Sequence, residues 1–578
     1  MKPRPNSSTS SRITGTLMVV ALLALAAATA WRLLRIEPEN PRPATVSANA
    51  MRHAEPIVGA HYFGRQWPKN FIAGFRREHV ADDFARLRAD GFNTVVLVLA
   101  WGDFQPLFEP CCSDDERAWQ RLGFLLDQAQ RAGLGVVLRV GYGWSFHPDA
   151  GAMAERIHRL LNERDVRAAF FAFLDRVNTV VQERSVVRLS LLSWEDLWLH
   201  VIDPLARPDF ERYLRTLPSD DAHRVRFEHG GALPSAASPD AALFNAYWDW
   251  LLMNELFRPA AQRLQPLGFE ARIDRDPLPV IEPDGSTRTH WIGHESTYAA
   301  PGATLSTLYW APFWGARNEG ETLDAAQALH LFDVLLAQVR DGNGQLPLFI
   351  DQFNVIDNTL GFERNARLRA DALDPFMAGA YCVMRAHAVL GYAWWTSINY
   401  AESPIYNPAF GYGLDGWSLR THDGAPVEGR LHPTPTGDFD LRLEAGDELR
   451  QQIPARRGRL PQADDGLADR VCIDTRSDSP GKLHVAAGGE ATVLAFDGRG
   501  EQRLCAPIAA RPDNDTLTLA LRAVDSTVTL RNVMLFDHVQ DGGLYQFDGS
   551  DGPLLPALRA LNRRYTEDPG ERCAAPAR

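Results

Sequence analysis

The chain has 578 residues, a net charge of −13 at pH 7, aromatic residues at 10% and 15 tryptophans. This length exceeds one ordinary domain and predicts a large domain joined to a smaller one. An acidic chain without a basic stripe is not expected to bind nucleic acid, whereas frequent tryptophan is common in proteins that bind neutral sugars.

The first 35 residues are predicted to be a signal peptide or a membrane anchor. Lys2, Arg4 and Arg12 precede an apolar run, residues 17–30, that closes on small residues as secretory signals do. The residues after this run can extend it to the roughly 20 needed to span a bilayer, so cleavage and retention as an inner-membrane tether both stay open. Residues 36–55 are rich in Pro, Glu and Ala and predict a linker. Both alternatives predict export, as a periplasmic, membrane-anchored or secreted protein.

From residue 56, short apolar runs alternate with amphipathic segments, several of which end at glycine. Helix, glycine stop and buried strand in this repeated order are typical of βα units with a parallel sheet. The predicted fold class is therefore α/β, a TIM (β/α)8 barrel over residues 56–428. An open doubly wound sheet is the alternative, and the lack of a Gly-rich phosphate turn argues against it. The predicted strands are 57–62, 93–101, 136–140, 187–195, 270–274, 304–310, 347–352 and 391–396.

After about residue 430 the pattern changes to short strands separated by turn residues, at 441–449, 471–475, 482–486, 492–496, 516–521 and 527–536. Residues 429–578 are therefore predicted to be a β-sandwich domain with a C-terminal helix at 554–565. Such a domain serves either to bind sugar or only to pack against the barrel. Cys472 and Cys505 lie in this region and are the pair expected to form a disulfide.

Familiar motifs of metal and nucleotide chemistry are missing from the sequence. It contains no HExxH, CxxC, GxSxG or Walker pattern. These absences argue against zinc hydrolases, serine esterases and nucleotide-dependent enzymes, and neither a cofactor nor a metal site is predicted.

Two of the apolar runs end in acidic or amide side chains. The fourth predicted strand ends at Glu195, and the seventh ends at Asp351 and Gln352. Barrel enzymes place their chemistry at the carboxyl ends of the strands. Cleavage of a glycosidic bond needs two carboxyl groups on either side of that bond, and distant strand ends can supply them.

These strand ends resemble the clan of (β/α)8-barrel retaining glycoside hydrolases that includes the cellulase-like and β-glycosidase-like families, over roughly residues 56–425. The resemblance implies that the acid/base Glu at the end of strand four is Glu195. It also implies a nucleophilic Glu at the end of strand seven, where Gln352 stands in register and Asp351 precedes it. Trp194 replaces the Asn that the clan often has before its acid/base. A neutral Gln is a poor nucleophile, so Gln352 cannot take the second role.

Three interpretations of strand seven stay open. A one-residue bulge can turn Asp351 inward, and bulges occur beside active sites. A carboxylate from another strand end, Asp274, Asp276 or Glu295, can serve instead, and a wider spacing then favours inversion through a water molecule. Alternatively, the barrel binds glycans without cleaving them.

Aromatic residues cluster at the predicted strand ends. Barrel interiors are filled mainly by branched aliphatic side chains, so tryptophan at successive strand exits indicates a cleft for flat ligands. The resemblance implies a Trp beneath the sugar at the end of strand eight, which matches Trp395, and alternation lets only one of Trp394 and Trp395 face the axis. The residues expected to bind substrate are Trp101, Trp144, Trp194, Tyr309, Trp310, Gln352 and Trp395.

The sequence therefore predicts an exported glycoside hydrolase with a polysaccharide or oligosaccharide as substrate. Glu195 is the predicted acid/base and Asp351 the predicted second carboxyl group. The alternatives are a glycan-binding pseudoenzyme and a scaffold protein of an envelope polysaccharide assembly, both without turnover.

Overall fold

The computed structural model describes residues 55–567 and Cys573, apart from residues 67, 108–110, 142, 144–146, 148–151, 194, 196–206, 228–231, 236–237, 276–279, 313–315, 317–319, 356–365, 402, 455–469, 488–489, 508–515, 537–538 and 541. The predicted signal or anchor and nearly all of the linker lie outside these residues. Among the helices of the described part, none is both long and apolar enough to cross a membrane.

Eight parallel strands close into a barrel, which confirms the predicted fold class. The strands follow chain order around the barrel, each pairs with its neighbours in sequence, and β8 pairs with β1 to close it. They are β1 Ile57–His61, β2 Thr94–Ala100, β3 Gly135–Gly141, β4 Val187–Leu192, β5 Leu267–Ala271, β6 Leu305–Trp310, β7 Leu348–Phe353 and β8 Val389–Trp394. The prediction for the fifth strand was wrong by three residues at its start, because Gly268 and Glu270 interrupt the apolar pattern of β5.

Helices surround the barrel, and two of them begin with a side-chain cap. The Asp115 side chain accepts a hydrogen bond from the backbone N–H of Arg117 at the start of α2, and Gly133 ends that helix at φ 69°. Asp324 and Gln327 form a capping box at the start of α8. The main helices are α1 Arg77–Ala89, α2 Glu116–Ala132, α3 Met153–Asn162, α4 Arg164–Glu183, α5 Arg207–Leu214, α6 Ala222–Phe227, α7 Ala241–Leu252, α8 Ala325–Gly342, α9 Leu373–Ala386 and α10 Leu555–Thr566.

Short helices and two-stranded ribbons lie in the connections between these strands and helices. The four-residue helices are Phe71–Gly74, Trp101–Phe104 and Arg258–Ala261, and α7 continues through a π-helical turn at Met253–Phe257. Two-stranded ribbons pair Ile273–Arg275 with Trp291–Gly293, Val280–Ile281 with Thr287–Arg288, Thr322–Leu323 with Arg367–Leu368, and Tyr400–Ala401 with Val539–Gln540.

The lower part of the barrel interior is apolar. Side chains that alternate along the strands meet on the axis in one cluster, so the barrel is filled rather than hollow at this level. The cluster consists of Ile57, Val96, Val137, Leu189, Leu191, Leu305, Phe349 and Ala393. Polar side chains begin one step further along the same strands.

A β-sandwich follows the barrel, as predicted, and is built from two five-stranded antiparallel sheets. Cys472 and Cys505 are directly opposite each other on paired strands and form the predicted disulfide. The strands are β9 Ser418–Arg420, β10 Leu431–Pro433, β11 Phe439–Leu443, β12 Glu448–Pro454, β13 Arg470–Ser477, β14 Gly481–Ala487, β15 Glu490–Phe496, β16 Gly500–Pro507, β17 Thr516–Ala523 and β18 Val528–Phe536.

The C-terminal helix α10 packs on the barrel and not on the sandwich to which the sequence assigned it. Its apolar residues Leu558, Leu561 and Tyr565 belong to the barrel's helix-side core, whereas the sandwich has a separate core. The disulfide Cys382–Cys573 joins the segment after α10 to α9. The assignment was wrong because an amphipathic helix shows which face it buries but not which neighbour covers that face.

Asn562 is the polar centre of the contact between α10 and the barrel. It is fully buried, its amide donates a hydrogen bond to the backbone oxygen of Asp90 at 3.0 Å, and its oxygen accepts one from the Tyr392 hydroxyl. Asp90 also accepts hydrogen bonds from Tyr545 at 2.6 Å and Arg559 at 2.7 Å. Three distant parts of the chain therefore meet at one buried position.

We expect Asn562→Ala to lower the stability of the whole protein by roughly 1–3 kcal/mol, because a buried hydroxyl and a buried carbonyl lose their partner. Thermal unfolding followed by circular dichroism measures the change. Arg563→Ala, an exposed position on the same helix, is the matched control. Equal midpoints for both variants would contradict the role of Asn562.

Candidate active site

A buried arginine organises the polar end of the barrel. Arg139 follows Val137 on the inward face of β3 and is fully buried. Its guanidinium donates hydrogen bonds to the backbone oxygen of Ser193 at 3.1 Å, to Gln352 Oε1 at 2.9 Å and to Glu270 Oε1 at 3.0 Å. It also forms an ion pair with Asp351 Oδ2 at 3.2 Å. One side chain thus connects β3 to the end of β4, to β5 and to β7.

A one-residue bulge in β7 brings two consecutive side chains to Arg139. Thr307 on β6 pairs with Phe349 on β7, and Tyr309 pairs with Gln352. The chain therefore advances by two residues on β6 and by three on β7 between the same two pairs. The pairing of β7 with β8 shifts at the same place. Without an extra residue, Asp351 and Gln352 point to opposite faces of the sheet, whereas the bulge lets both contact the guanidinium. The inward Asp351 of the first interpretation is therefore observed.

Gln352, and not Asp351, lies against Glu195. The Gln352 amide nitrogen donates a hydrogen bond to Glu195 Oε1 at 3.2 Å. Because Arg139 donates to the oxygen of the same amide, only the NH2 side of Gln352 is available to Glu195. The amide is therefore fixed in one orientation, with a donor directed at the carboxylate.

Glu195 stands on a turn with unusual backbone geometry. Ser193 has φ 89° and Glu195 has φ 59°, both in the left-handed region that non-glycine residues rarely adopt. The cost is about 1–3 kcal/mol for each such residue, and the hydrogen bond from Arg139 to the Ser193 oxygen helps to hold the turn. Glu195 is partly exposed, while Asp351 and Gln352 are 0% and 5% exposed. Of these three side chains, Glu195 is the one that presents a carboxylate to solvent.

The two carboxyl groups behind Gln352 are buried beside Arg139. Burial raises the pKa of Glu270 to about 7; Arg139 and, more weakly, Arg272 oppose this shift, and Asp351 adds to it. Burial also raises the pKa of Asp351, again against the effect of Arg139, with a smaller contribution from Glu195. Burial therefore outweighs the nearby positive charge and favours the protonated form of Glu270 up to about pH 7.

His61 and Trp395 form an aromatic wall at the ends of β1 and β8. Their rings lie 4.8 Å apart, and Phe63 lies 5.1 Å from Trp395 and 5.9 Å from His61. The His61 Nδ1 lies 3.2 Å from the Trp394 backbone oxygen, which requires a proton on Nδ1. Burial, with the charge of Arg139, holds the pKa of His61 well below its usual range, so the imidazole is neutral.

Some residues predicted to bind substrate lie elsewhere. Trp101 is 0% exposed and packs on Phe170 at 5.2 Å, and Trp310 is 0% exposed and stacks on Phe376 at 5.1 Å. Both predictions were wrong, because a residue at a strand end can also turn towards the surrounding helices. Trp394 is likewise buried among core aromatic residues, so Trp395 is the tryptophan of this pair beside the site.

The remaining predicted contacts divide into two groups. Tyr309 is nearly buried and lies in register with Gln352 across β6 and β7, so it stays a predicted substrate contact. Trp144 and Trp194 lie outside the described residues, as do Asp276 and the side chain of Asp274. Glu295, the third alternative carboxylate, is exposed on a short 3-10 turn.

Arg139, Glu270 and His61 are site residues that the sequence analysis missed. Each is a polar residue inside an otherwise apolar strand: Gly135–Gly141 for Arg139, Leu267–Ala271 for Glu270 and Ile57–His61 for His61. A charged residue is rarely buried without a partner, so Arg139 and Glu270 were a signal that two such strands exchange charge inside the barrel.

No protein-family model and no curated protein sequence matches the chain. Solved structures do match it. The exo-β-1,4-mannosidase Op5Man5 from Opitutaceae bacterium strain TAV5 is 16% identical, with a TM-score of 0.38 over 61% of this chain and 53% of that one. GH5_18 from Streptomyces cattleya, in complex with GlcNAc, is 14% identical, with a TM-score of 0.43 over 90% and 82%. The endo-1,4-β-mannanase from Rhizomucor miehei is 10% identical, with a TM-score of 0.36 over 60% and 86%.

The chain thus spans about half the length of the mannosidase it matches. At these identities and TM-scores the likenesses carry no inference about activity. The assignment of the barrel rests on the strand order and parallel pairing described above.

Among the described residues, one group has side chains close enough to share a metal ion: His422, Asp423 and Asp447 on the sandwich. Arg430 already donates hydrogen bonds to Asp447 at 2.7 Å and to Asp423 at 3.2 Å. A guanidinium therefore supplies the positive charge that these carboxylates attract.

The raised pKa of Glu270 predicts how stability depends on pH. The folded-state pKa of Glu270 is raised, so its contribution is complete at acidic pH and is lost as pH rises through about 7. Glu270→Gln keeps an acceptor for Arg139 without a titrating group. We expect it to match the wild type near pH 5 and to be more stable by roughly 1–3 kcal/mol near pH 8.

Unfolding midpoints measured from pH 5 to pH 8 test this prediction. Glu428→Gln, at an exposed position, is the control and should follow the wild-type curve. A Glu270→Gln variant that is less stable than wild type at pH 8 would show that the pair with Arg139 outweighs the repulsion between the two carboxyl groups.

Proposed function

We propose that the barrel is a glycoside hydrolase that acts on a polysaccharide or oligosaccharide. The observation that carries the proposal is the contact of Glu195 with the residue at the end of β7, at 3.2 Å, in a site organised by Arg139. Two strand ends that are far apart in sequence thereby meet at the end of the barrel where barrel enzymes place their chemistry. Trp395, 4.8 Å from His61, supplies a flat wall for a sugar ring.

Glu195 acts in this proposal as the proton donor to the glycosidic oxygen. It is the partly exposed carboxyl group of the site, and the positive-φ turn and the Gln352 amide fix its position. A positioned carboxyl group of this kind contributes about 10²–10⁴-fold to a proton-transfer step. The same group then accepts a proton from the water that adds to the sugar.

Asp351 has an electrostatic role in the proposal. Because its side chain is fully buried behind Gln352, it does not reach a bound sugar in this conformation. With Glu270 it sets two carboxyl groups against one guanidinium beneath the cleft. When both are ionised, the excess negative charge favours the positive charge that develops on the sugar ring during cleavage.

Gln352 favours a second candidate function, glycan binding without turnover. An amide in register with the nucleophile of retaining enzymes cannot form a glycosyl intermediate, and Arg139 fixes this amide as a hydrogen-bond donor. A donor beside Glu195 also suits recognition of a sugar hydroxyl. The two functions share the cleft and differ only in release of product.

Replacement of Glu195 separates the two candidates. We expect Glu195→Gln, which keeps the size and the hydrogen bond of the side chain, to lower reducing-end release from a panel of soluble polysaccharides by about 10²–10⁴-fold. Glu428→Gln, at an exposed position before β10, is the control. Full activity of Glu195→Gln refutes the assigned role, and absence of release by the wild type favours the binding function.

Gln352→Glu tests the other half of the pair. In a hydrolase the new carboxylate replaces the amide that donates a hydrogen bond to Glu195, so kcat/KM and its pH profile should differ from those of the wild type. In a binding protein the same variant should acquire release that the wild type lacks. Gln345→Glu, an exposed position before β7, should change neither property.

Export is part of the proposal. The basic residues and apolar run at the N-terminus, residues 1–35, motivate it, with retention as a tether or cleavage as the two outcomes. Three disulfides support an oxidising compartment: Cys111–Cys112, Cys382–Cys573 and Cys472–Cys505. Fractionation of the native host, with detection of the protein in periplasm, membrane and medium, distinguishes the outcomes.

A further inference from the structure

A cavity of about 480 Å³ lies where the barrel meets the sandwich. Its walls come from the segment after β1, from the start of α1, and from β13, β16 and β18 of the sandwich. This volume lies within the range of about 300–1,000 Å³ that is usual for small-ligand sites. The cavity shares no lining residue with the Glu195 site.

The charged side chains of the cavity balance one another. Its lining contains Arg65, Arg76, Arg503 and Arg531 together with Glu78, Asp474, Glu501 and Asp548. These arginines are already paired: Arg76 with Glu78 at 2.9 Å, Arg503 with Asp474 at 2.6 Å, Arg531 with Glu78 at 2.6 Å and Arg65 with Asp83 at 3.5 Å. A wall of equal and opposite charges does not attract a net anion or cation.

The same wall is rich in both hydrogen-bond donors and acceptors. Guanidinium groups donate, carboxylates accept, and Gln502 and Asn532 add amides that do both. Each hydroxyl group of a sugar is also both a donor and an acceptor. Charge balance with mixed hydrogen bonding therefore suits a neutral polyhydroxylated ligand better than a charged one.

The cavity has an apolar side as well. Phe547 supplies it and is partly exposed, whereas Tyr62, Phe75 and Met534 are fully or almost fully buried in the wall. Arg503 lies over one face of the Phe547 ring at 5.2 Å, so a ligand meets the guanidinium together with the part of the ring that it leaves uncovered. A sugar ring presents C–H groups on its faces and hydroxyls on its edge, which matches this arrangement.

We propose that this cavity binds a neutral glycan segment, as a second carbohydrate site separate from the barrel cleft. The segment after β1 lies between the two sites: Tyr62, Gly64 and Gln66 line the cavity, while Phe63 packs against Trp395. A glycan held in the cavity is therefore anchored one chain segment away from the barrel cleft. The site goes beyond the proposed hydrolase activity, since it binds without Glu195.

Native affinity electrophoresis tests the proposal with the full chain. The gels contain galactomannan, xyloglucan, mixed-linkage β-glucan or dextran as neutral probes and alginate as the charged comparison. The cavity variants are Arg503→Ala, which removes a half-exposed donor, and Gln502→Trp, which fills the space. Arg499→Ala is the matched control, because Arg499 precedes the same strand, is exposed and does not line the cavity. Trp395→Ala removes the wall of the barrel cleft.

We expect at least one neutral polysaccharide to retard the wild type and Arg499→Ala alike, and to retard Trp395→Ala less strongly, through the cavity alone. Arg503→Ala should weaken this binding about tenfold, as expected for loss of one charged hydrogen bond, and Gln502→Trp should abolish it. Thermal unfolding checks that the variants fold; if Gln502→Trp does not, Arg503→Ala carries the test, since an exposed ion pair adds little stability.

Three results overturn the proposal. They are no retardation by any neutral probe, retardation by alginate alone, and binding that disappears in Trp395→Ala while both cavity variants behave as wild type. None of them depends on product release. The proposal of a second site can therefore be refuted while the hydrolase proposal stands, and the hydrolase proposal can be refuted while the second site stands.

Discussion

The site depends on one buried guanidinium. Arg139 is fully enclosed in the barrel, and an unpaired charge there would be very costly, so its surroundings must supply compensating groups. Four groups from three strands or strand ends supply them: the Ser193 oxygen after β4, Glu270 on β5, and Asp351 and Gln352 on β7. The need to pair this buried charge explains three features of the site. They are the orientation of Gln352, the turn that carries Glu195 and the bulge of β7. The residues at the mouth of the barrel are therefore linked through a group that no substrate touches.

The sequence predicted the parts of this arrangement that follow from local pattern. Glu195 and Gln352 end long apolar runs, and the strands that carry them lie within a few residues of their predicted positions. The β7 bulge was raised only as an alternative, because nothing in one sequence shows where a ladder gains a residue. Trp101 and Trp310 were misplaced because the choice between barrel axis and helix layer is made by tertiary packing. Arg139 and Glu270 are 131 residues apart in sequence. Local sequence patterns do not predict a contact over such a separation.

Barrel and sandwich are joined by polar as well as apolar contacts. Arg121 on α2 and Asp438 beside β11 form an ion pair at 2.7 Å with both side chains buried. Ile405, Phe410 and Trp417, which follow the last barrel strand, belong to the sandwich core. The charge-balanced cavity opens along this same boundary. Buried ion pairs tolerate little displacement of either partner, so they hold the two bodies in one fixed arrangement.

The position of α10 shows that the barrel is built from two separate parts of the chain. The hydrogen bond from Asn562 to Asp90 spans 472 residues, and everything between β8 and α10 belongs largely to the sandwich. The sandwich is therefore inserted into the chain of the barrel, and the last helix of the barrel is synthesised after the sandwich. The barrel cannot be completed until α10 has been synthesised. Contacts between residues so far apart in sequence also form slowly. Removal of the C-terminal 150 or so residues as a separable module would take part of the barrel with it, because α10 and Tyr545 belong to the barrel core.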